Sequence, residues 1–408
     1  MRIEGWALAA SGPPDRVDVV ATVPLAGGGE LRRTLVSVAP AVPRPRVAER
    51  FPDVRESGAC GFYAGCTLLG LPTEFELQIE ARFGSRATRI GTVRGLRPAL
   101  PANGPSPIDP LLVMTMGRAG STWLTRLLGE HPGVVAYRPF QFEPRLTSYW
   151  LEILRTLSNP QTYAQGIDSD VRGGQPWWLG ERREWGPLDI PDERLLEWLE
   201  TDSLEDLAGF CHSRIAGFYE QAAAAAGKAG VRRFAERVQD WQDIVLAAEL
   251  FPGSREAFLV RDFRDVLASR LAFNRKTGKV RFGREEASSD EEYVHVQMRR
   301  EVATLLETWR ARQDNALLVG YEELVHRPHQ TLATLFQHAD LAADDATVEE
   351  VLRRGDELPA EQREWHMTAG GGPESVGRWR SDLSPALRRA AEEAFGEALA
   401  AFGYEPGS

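Results

Sequence analysis

The chain has 408 residues, 43 % of them hydrophobic and 26 % charged. These are ordinary values for a folded protein of two or three domains, so wholesale disorder is excluded. Its 48 basic and 59 acidic residues leave a formal charge of −11, which argues against a surface given over to nucleic acid or anionic lipid but not against a local anion site. Only Lys228, Lys276 and Lys279 are lysine and the other 45 basic residues are arginine, so an arginine here informs by its position rather than by its identity.

Three cysteines, Cys60, Cys66 and Cys211, are too few and too scattered for a disulfide scaffold, which predicts a reducing, cytoplasmic setting. The start, MRIEGWALAASGPP, lacks the basic and apolar regions of a signal peptide, and no apolar run is long enough to span a bilayer. Over residues 1–97, short apolar or alternating runs (17–23, 35–38, 75–79) are punctuated by Pro, Gly and Ser. That pattern predicts a small β-rich, sandwich-like accessory domain. This part carries 13 arginines against 10 acidic residues, so the acidic excess lies in the remainder. Residues 98–110 hold five prolines and read as a stiff linker before a domain over 111–408.

Beyond the linker the periodicity changes. Residues 111–115 form an unbroken apolar run, as expected of a strand covered on both faces, and Trp123, Leu124, Leu127 and Leu128 follow at helical spacing. The same order recurs at 257–260 before a helix over 263–273, and at 317–321 before a helix over 330–336. Helical stretches are predicted over 192–225, 290–312 and 385–402. Repetition of strand, turn and helix argues for an α/β domain with a doubly wound parallel sheet.

The strongest local signal is LLVMTMGRAGSTWLTRLL, residues 111–128. A buried strand runs through Gly117-Arg118-Ala119-Gly120-Ser121-Thr122 into a helix. Such a turn aims backbone N–H groups and the positive end of the helix at one spot, which suits a phosphate, with Ser121 and Thr122 adding hydroxyls and a helix cap. An ordinary strand-to-helix turn with a Ser cap is the plainer alternative. A Walker A loop would need Lys between Gly120 and Ser121, and no dinucleotide fingerprint is present.

Residues 118–123, Arg-Ala-Gly-Ser-Thr-Trp, resemble the 5′-phosphosulfate loop of sulfotransferases that use 3′-phosphoadenosine 5′-phosphosulfate (PAPS), with Ala119 where members carry Ser. Residues 258–273, FLVRDFRDVLASRLAF, resemble that family's 3′-phosphate motif, in which an Arg and a Ser eight positions later hold the ribose 3′-phosphate; here these are Arg261 and Ser269. The run 318–324, with Gly320 in place of an Arg, is similar to a further family segment. Ser375-Val376-Gly377-Arg378-Trp379 is similar to the segment that closes over the nucleotide. The four motifs stand in the family's order over roughly residues 108–405.

The resemblance implies a P-loop-like nucleotide site and sulfuryl transfer from PAPS to a hydroxyl or amine of a small-molecule or carbohydrate acceptor, releasing 3′,5′-adenosine bisphosphate (PAP). It implies no metal, no nucleic acid and no membrane span. Implied nucleotide contacts are Arg118, Ala119, Gly120, Ser121, Thr122, Trp123, Arg261, Ser269, Ser375 and Arg378, with Arg118 also stabilising charge on the leaving phosphate. An acceptor hydroxyl needs a general base. The position aligned with the family's base carries Arg138, so the candidates are Glu143 and His366, with Glu236 and His212 as competitors. Trp177, Trp178 and Trp185 offer an acceptor wall or simple packing, and residues 274–284 a basic lid or a solvated loop. A kinase-like phosphotransferase and a non-catalytic PAP-binding protein are the rival functions.

Overall fold

The computed structural model describes residues 1–24, 30–100, 106–137, 145–158, 202–239, 241–355 and 372–405, together with Arg194 and Trp198. The chain divides into two compact units, one of Met1–Asn103 with Ser148–Arg214, the other of Gly104–Thr147 with Ile215–Ser408.

The first unit contains an antiparallel four-stranded sheet in the order β3-β2-β5-β6, made of β2 (Arg16–Pro24), β3 (Glu30–Val38), β5 (Glu74–Phe83) and β6 (Arg86–Leu96). A second, two-stranded sheet pairs β1 (Arg2–Trp6) with β4 (Gly61–Gly65). Alternate residues of β2 and β5 point to one face, where Val17 and Ile79 meet Phe62 of β4 and Ile3 of β1. The opposite face is polar. Asp18 accepts from Arg82 Nε at 2.7 Å, and Gln78 accepts from Arg32 Nη1 at 2.8 Å. The expected β-rich region is thus present. β6 (RATRIGTVRGL) is invisible in the sequence because its three arginines and two glycines erase the apolar alternation. Its backbone ladder to β5 holds it, and it lies at the sheet edge where polar side chains face water.

The second unit is built on a five-stranded parallel sheet in the order β11-β10-β7-β9-β8. The strands are β7 (Asp109–Thr115), β8 (Val134–Val135), β9 (Arg233–Val238), β10 (Arg255–Val260) and β11 (Ala316–Gly320). Central β7 is buried from Pro110 through Thr115, as its uninterrupted apolar run requires. Leu111 and Val113 pack with Leu124, Leu127 and Leu128 of the helix Ser121–Glu130, with Leu259 of β10, and with Leu332, Leu335 and Phe336 of the helix Pro328–His338. Burying these apolar faces gives each large side chain about 1.5–3 kcal/mol of driving force.

The helix expected over 263–273 runs from Phe263 to Thr277 and ends on Gly278 in the left-handed conformation. The long helix expected over 290–312 is three consecutive segments, Asp290–Tyr293, a π-helical turn at Val294–Met298, and Arg299–Arg312. The last strand ends one residue early, at Gly320, because Tyr321 begins the helix Tyr321–His326. The chain leaves β7 toward β8 on one side and later crosses to β10 on the other. The C-terminal end of β7 is therefore the switch point at which open α/β sheets bind ligands.

Candidate functional site

The turn after β7 is unusual in its backbone. Arg118 has φ +75° and Gly120 φ +95°, both left-handed. Glycine is required at 120 on two counts: that φ, and a Cβ that would fall 2.4 Å from Cδ2 of Tyr321. Gly120 is itself the N-cap of the helix Ser121–Glu130, with no side chain capping it. This corrects the expectation that Ser121 and Thr122 supply the cap: both lie inside the first turn. Ser121 is buried and its Oγ lies 3.4 Å from Nη1 of Arg237, at the C-terminal end of β9. Ala119 is buried, and its N–H reaches the Met116 carbonyl at 3.3 Å.

Four segments far apart in sequence converge here. Arg118 Nε donates to Ser269 Oγ at 3.2 Å, and its guanidinium lies 4.7 Å from the Phe273 ring centre. Arg261, just past β10 and almost fully buried, donates through Nη1 to the Arg118 carbonyl at 3.2 Å and through Nη2 to the Ser375 carbonyl. Its Nε is buried with no hydrogen-bond partner among the described residues, and its guanidinium lies 4.6 Å over the Tyr321 ring. Tyr321 stands edge-on to Trp123 at 6.2 Å, and its hydroxyl shares a 2.7 Å hydrogen bond with Ser375 Oγ. Arg378 forms an ion pair with Asp382, four residues on, at 2.6 Å.

The electrostatics follow from this crowding. Burial, then the charges of Arg261, Arg378 and Arg270, push the Arg118 guanidinium down to about 10. Like charges are held together at a half-buried helix N-terminus, an arrangement that a polyanion would relieve.

Several residues that build the site carried no sequence signal of their own. Arg270, 1 % exposed, donates to the Gly117 carbonyl at 3.2 Å, to Tyr293 Oη at 2.9 Å and to Glu301 Oε2 at 2.7 Å, so it anchors the turn from behind. In an arginine-rich chain, only tertiary contact separates it from its neighbours. Asp265 accepts from the N–H groups of Gly377 at 2.7 Å and Trp379 at 2.9 Å. Asp262 caps the following helix and pairs with Arg264 at 2.8 Å. Within residues 274–284, Lys276 and Lys279 are exposed, while Phe282 (φ +65°) packs its ring near Phe273 and Arg270, which ties this loop to the turn.

Glu236 lies inside β9 rather than at its end. Its carboxylate accepts from Thr147 N at 3.1 Å, Thr147 Oγ1 at 2.8 Å and Tyr219 Oη at 2.6 Å, a set of donors that holds it in place structurally. His212 lies on the helix Ser203–Ala225, in the part of it that belongs to the first unit. Glu143, His366, Arg138 and the tryptophans at 177, 178 and 185 lie outside the described residues. Among the described residues, no group of His, Cys, Asp and Glu is placed to hold a metal ion, and no helix is long and apolar enough to cross a membrane.

Among solved structures of similar fold, the sulfotransferase domain of the Synechococcus PCC 7002 olefin synthase is 15 % identical, pairing 76 % of this chain with 99 % of that one at a TM-score of 0.40. The mouse sulfotransferase SULT7A1, complexed with PAP, is 11 % identical over 71 % of this chain and 84 % of its own, at 0.39. A sulfotransferase from Alicyclobacillus acidocaldarius is 10 % identical over 73 % and 96 %, at 0.36. No curated protein matches. The model of the sulfotransferase family matches residues 110–345, more than half of the chain and the whole stretch from β7 past β11. The chain belongs to the sulfotransferase family.

Proposed function

We propose that this protein is a PAPS-dependent sulfotransferase that moves a sulfuryl group to a hydroxyl or amine of a small-molecule or carbohydrate acceptor and releases PAP. The observation that carries this reading is the convergence of Arg118, Arg261, Ser269 and Ser375 at the switch point, with Arg118 depressed by burial and then by neighbouring guanidiniums. The residues present suit such a donor. Arg261 keeps a buried Nε without a partner among the described residues, and the turn at Gly117–Gly120 offers backbone N–H groups at a helix start left without a side-chain cap.

PAPS, when bound, supplies an activated sulfuryl group whose leaving group is a 5′-phosphate. Arg118, with the N–H groups of residues 119–122, binds that phosphate and stabilises the charge that grows on it. Arg261 and Ser269 hold the 3′-phosphate; Ser375 and Arg378 close the segment over it, and Trp123 and Tyr321 pack beneath. The acceptor's proton passes to a carboxylate or imidazole in the segments carrying Glu143 and His366. Glu236, held by Thr147 and Tyr219, keeps a structural role in this reading. Residues 1–97 serve as an accessory domain, 98–110 as its linker and 111–408 as the transferase, working in the cytoplasm.

Isothermal titration with PAP and with 5′-AMP tests the site. PAP is expected to bind the more tightly, and Ser269→Ala or Arg261→Met is expected to erase the preference. A charge-assisted hydrogen bond of about 1.5–3 kcal/mol corresponds to a loss of roughly 10- to 100-fold. Equal affinity for the two nucleotides in the wild type overturns the reading. Transfer of labelled sulfuryl from PAPS to an acceptor then separates an enzyme from a protein that only binds PAP.

A further inference from the structure

The helix Phe263–Thr277 begins with an arrangement that frees one carboxylate for another task. Asp262 is its N-cap and Asp265 occupies the third helical position, where an acidic side chain commonly turns back onto the N-cap N–H. Here that N–H is already taken: Asp262 N donates to Glu322 Oε1 at 3.0 Å, and Glu322 is itself fixed by Tyr404 Oη at 2.8 Å. Asp265, with no measurable exposure, instead turns both oxygens toward the segment after residue 372. Oδ2 accepts from Gly377 N at 2.7 Å and Oδ1 from Trp379 N at 2.9 Å. Gly377 has φ +72°, which lets the chain curl around this carboxylate. The Arg264 guanidinium lies 4.0 Å from the centre of the Trp379 ring. Burial raises the Asp265 carboxyl, while Arg261 and the two N–H donors act in the opposite direction.

We propose that Asp265 is a positioning residue that latches the segment 375–379 over the phosphate site, fixing Ser375 and Arg378 through the backbone rather than touching the nucleotide itself. This rests on the reading of the site as a PAPS site. Its reach follows from geometry: Ser375, two residues before the latch, gives its carbonyl to Arg261 and shares a hydrogen bond with Tyr321. One carboxylate on the helix that also carries Ser269 thus ties the closing segment to the residues that face the ligand. A buried carboxylate at a helix N-terminus suits this role, because the positive end of the helix compensates its charge and the side chain has few rotamers to lose.

The test uses the full chain with Asp265→Asn, Ser375→Ala and the double variant. It reads PAP affinity by calorimetry and the rate of tryptic cleavage after Arg378 and Arg380. Asp265→Asn removes one acceptor and presents an amide N–H in its place. It is expected to weaken PAP at least tenfold and to speed cleavage at least tenfold without ligand, with circular dichroism unchanged. If Asp265 acts through the segment, Ser375→Ala added to Asp265→Asn weakens PAP by less than a further twofold. Effects that multiply, or wild-type cleavage in Asp265→Asn, overturn the latch. If Asp265→Asn does not fold, Asp265→Glu keeps the charge, displaces the acceptors and is held to the same cleavage criterion. Failure of the wild type to bind PAP overturns the reading of the site instead, and the ligand-free cleavage rates then decide the latch on their own.

Discussion

Replacing Gly120 by alanine probes the central geometric claim, that the turn after β7 is pressed against Tyr321. Two costs combine. A non-glycine residue at φ +95° carries roughly 1–2 kcal/mol of backbone strain. The added Cβ would also stand 2.4 Å from Cδ2 and 2.5 Å from Cε2 of Tyr321, well inside contact distance. That ring has nowhere easy to go, since its hydroxyl is tied to Ser375, Arg261 lies on its face and Trp123 meets its edge. Overpacking of this kind costs about 1–3 kcal/mol, so the expected total is about 2–5 kcal/mol. Gly278 is the internal control. It belongs to the same unit, has φ +62°, and among the described residues nothing lies within 4 Å of a Cβ built there, so Gly278→Ala carries the strain alone. Urea unfolding of both variants, followed by tryptophan fluorescence, isolates the contact as the difference between them. Gly120→Ala should also lose PAP affinity, whereas Gly278→Ala should keep it. If Gly120→Ala is no less stable than Gly278→Ala, the packing of Tyr321 against the turn is wrong.

Arg270→Met leaves the Gly117 carbonyl, Tyr293 and Glu301 without their shared donor. Breaking a buried pair costs up to about 3–5 kcal/mol, and the partial exposure of Glu301 brings the expectation to roughly 2–3 kcal/mol in the same unfolding assay. An unchanged denaturation midpoint would show that Arg270 does not anchor the turn. His131 gives a pH dependence. Its Nδ1 accepts from Gly133 N at 3.0 Å and its Nε2 bonds to the Ala342 carbonyl at 2.9 Å, so the folded ring is neutral, and burial holds it below its usual 6.5. With the folded value lowered, the unfolded chain binds more protons between the two values. Stability from this residue is therefore full above about pH 6.5 and declines as pH falls from there. His131→Gln should flatten that acid limb when urea midpoints at pH 7.5 and pH 5 are compared, and an acid limb identical to wild type refutes the assignment.

Legibility in the sequence followed the kind of force at each position. The motif at 118–123 and the Arg261–Ser269 spacing were readable because backbone turn, strand end and helix period impose local rules. Their meeting across 143 to 151 residues agrees with those rules. The antiparallel sheet of the first unit was visible where core-facing valines alternate with polar residues, and invisible at β6, whose stability comes from a partner strand. Glu236 shows what the sequence leaves out: its neighbours suggest a site residue, and folding brings Thr147 and Tyr219 to hydrogen-bond its carboxylate. The cap assigned to Ser121 and Thr122 failed by a single position: φ +95° at Gly120 starts the helix one residue earlier than the hydroxyls imply.

By itself, the sequence determined the order of the elements and the presence of a glycine-bearing strand-to-helix turn in an otherwise acidic chain, because apolar periodicity and glycine placement act over a few residues. Beyond the motif positions Arg118, Arg261 and Arg378, it could not rank the 45 arginines. Tertiary structure decided what each of them touches. Arg118 and Arg261 meet where two strands end, Arg270 braces the turn from within, and Asp265 is released from its own helix to hold the closing segment. Burial and partner geometry are properties of the packed chain and leave no mark on residue identity.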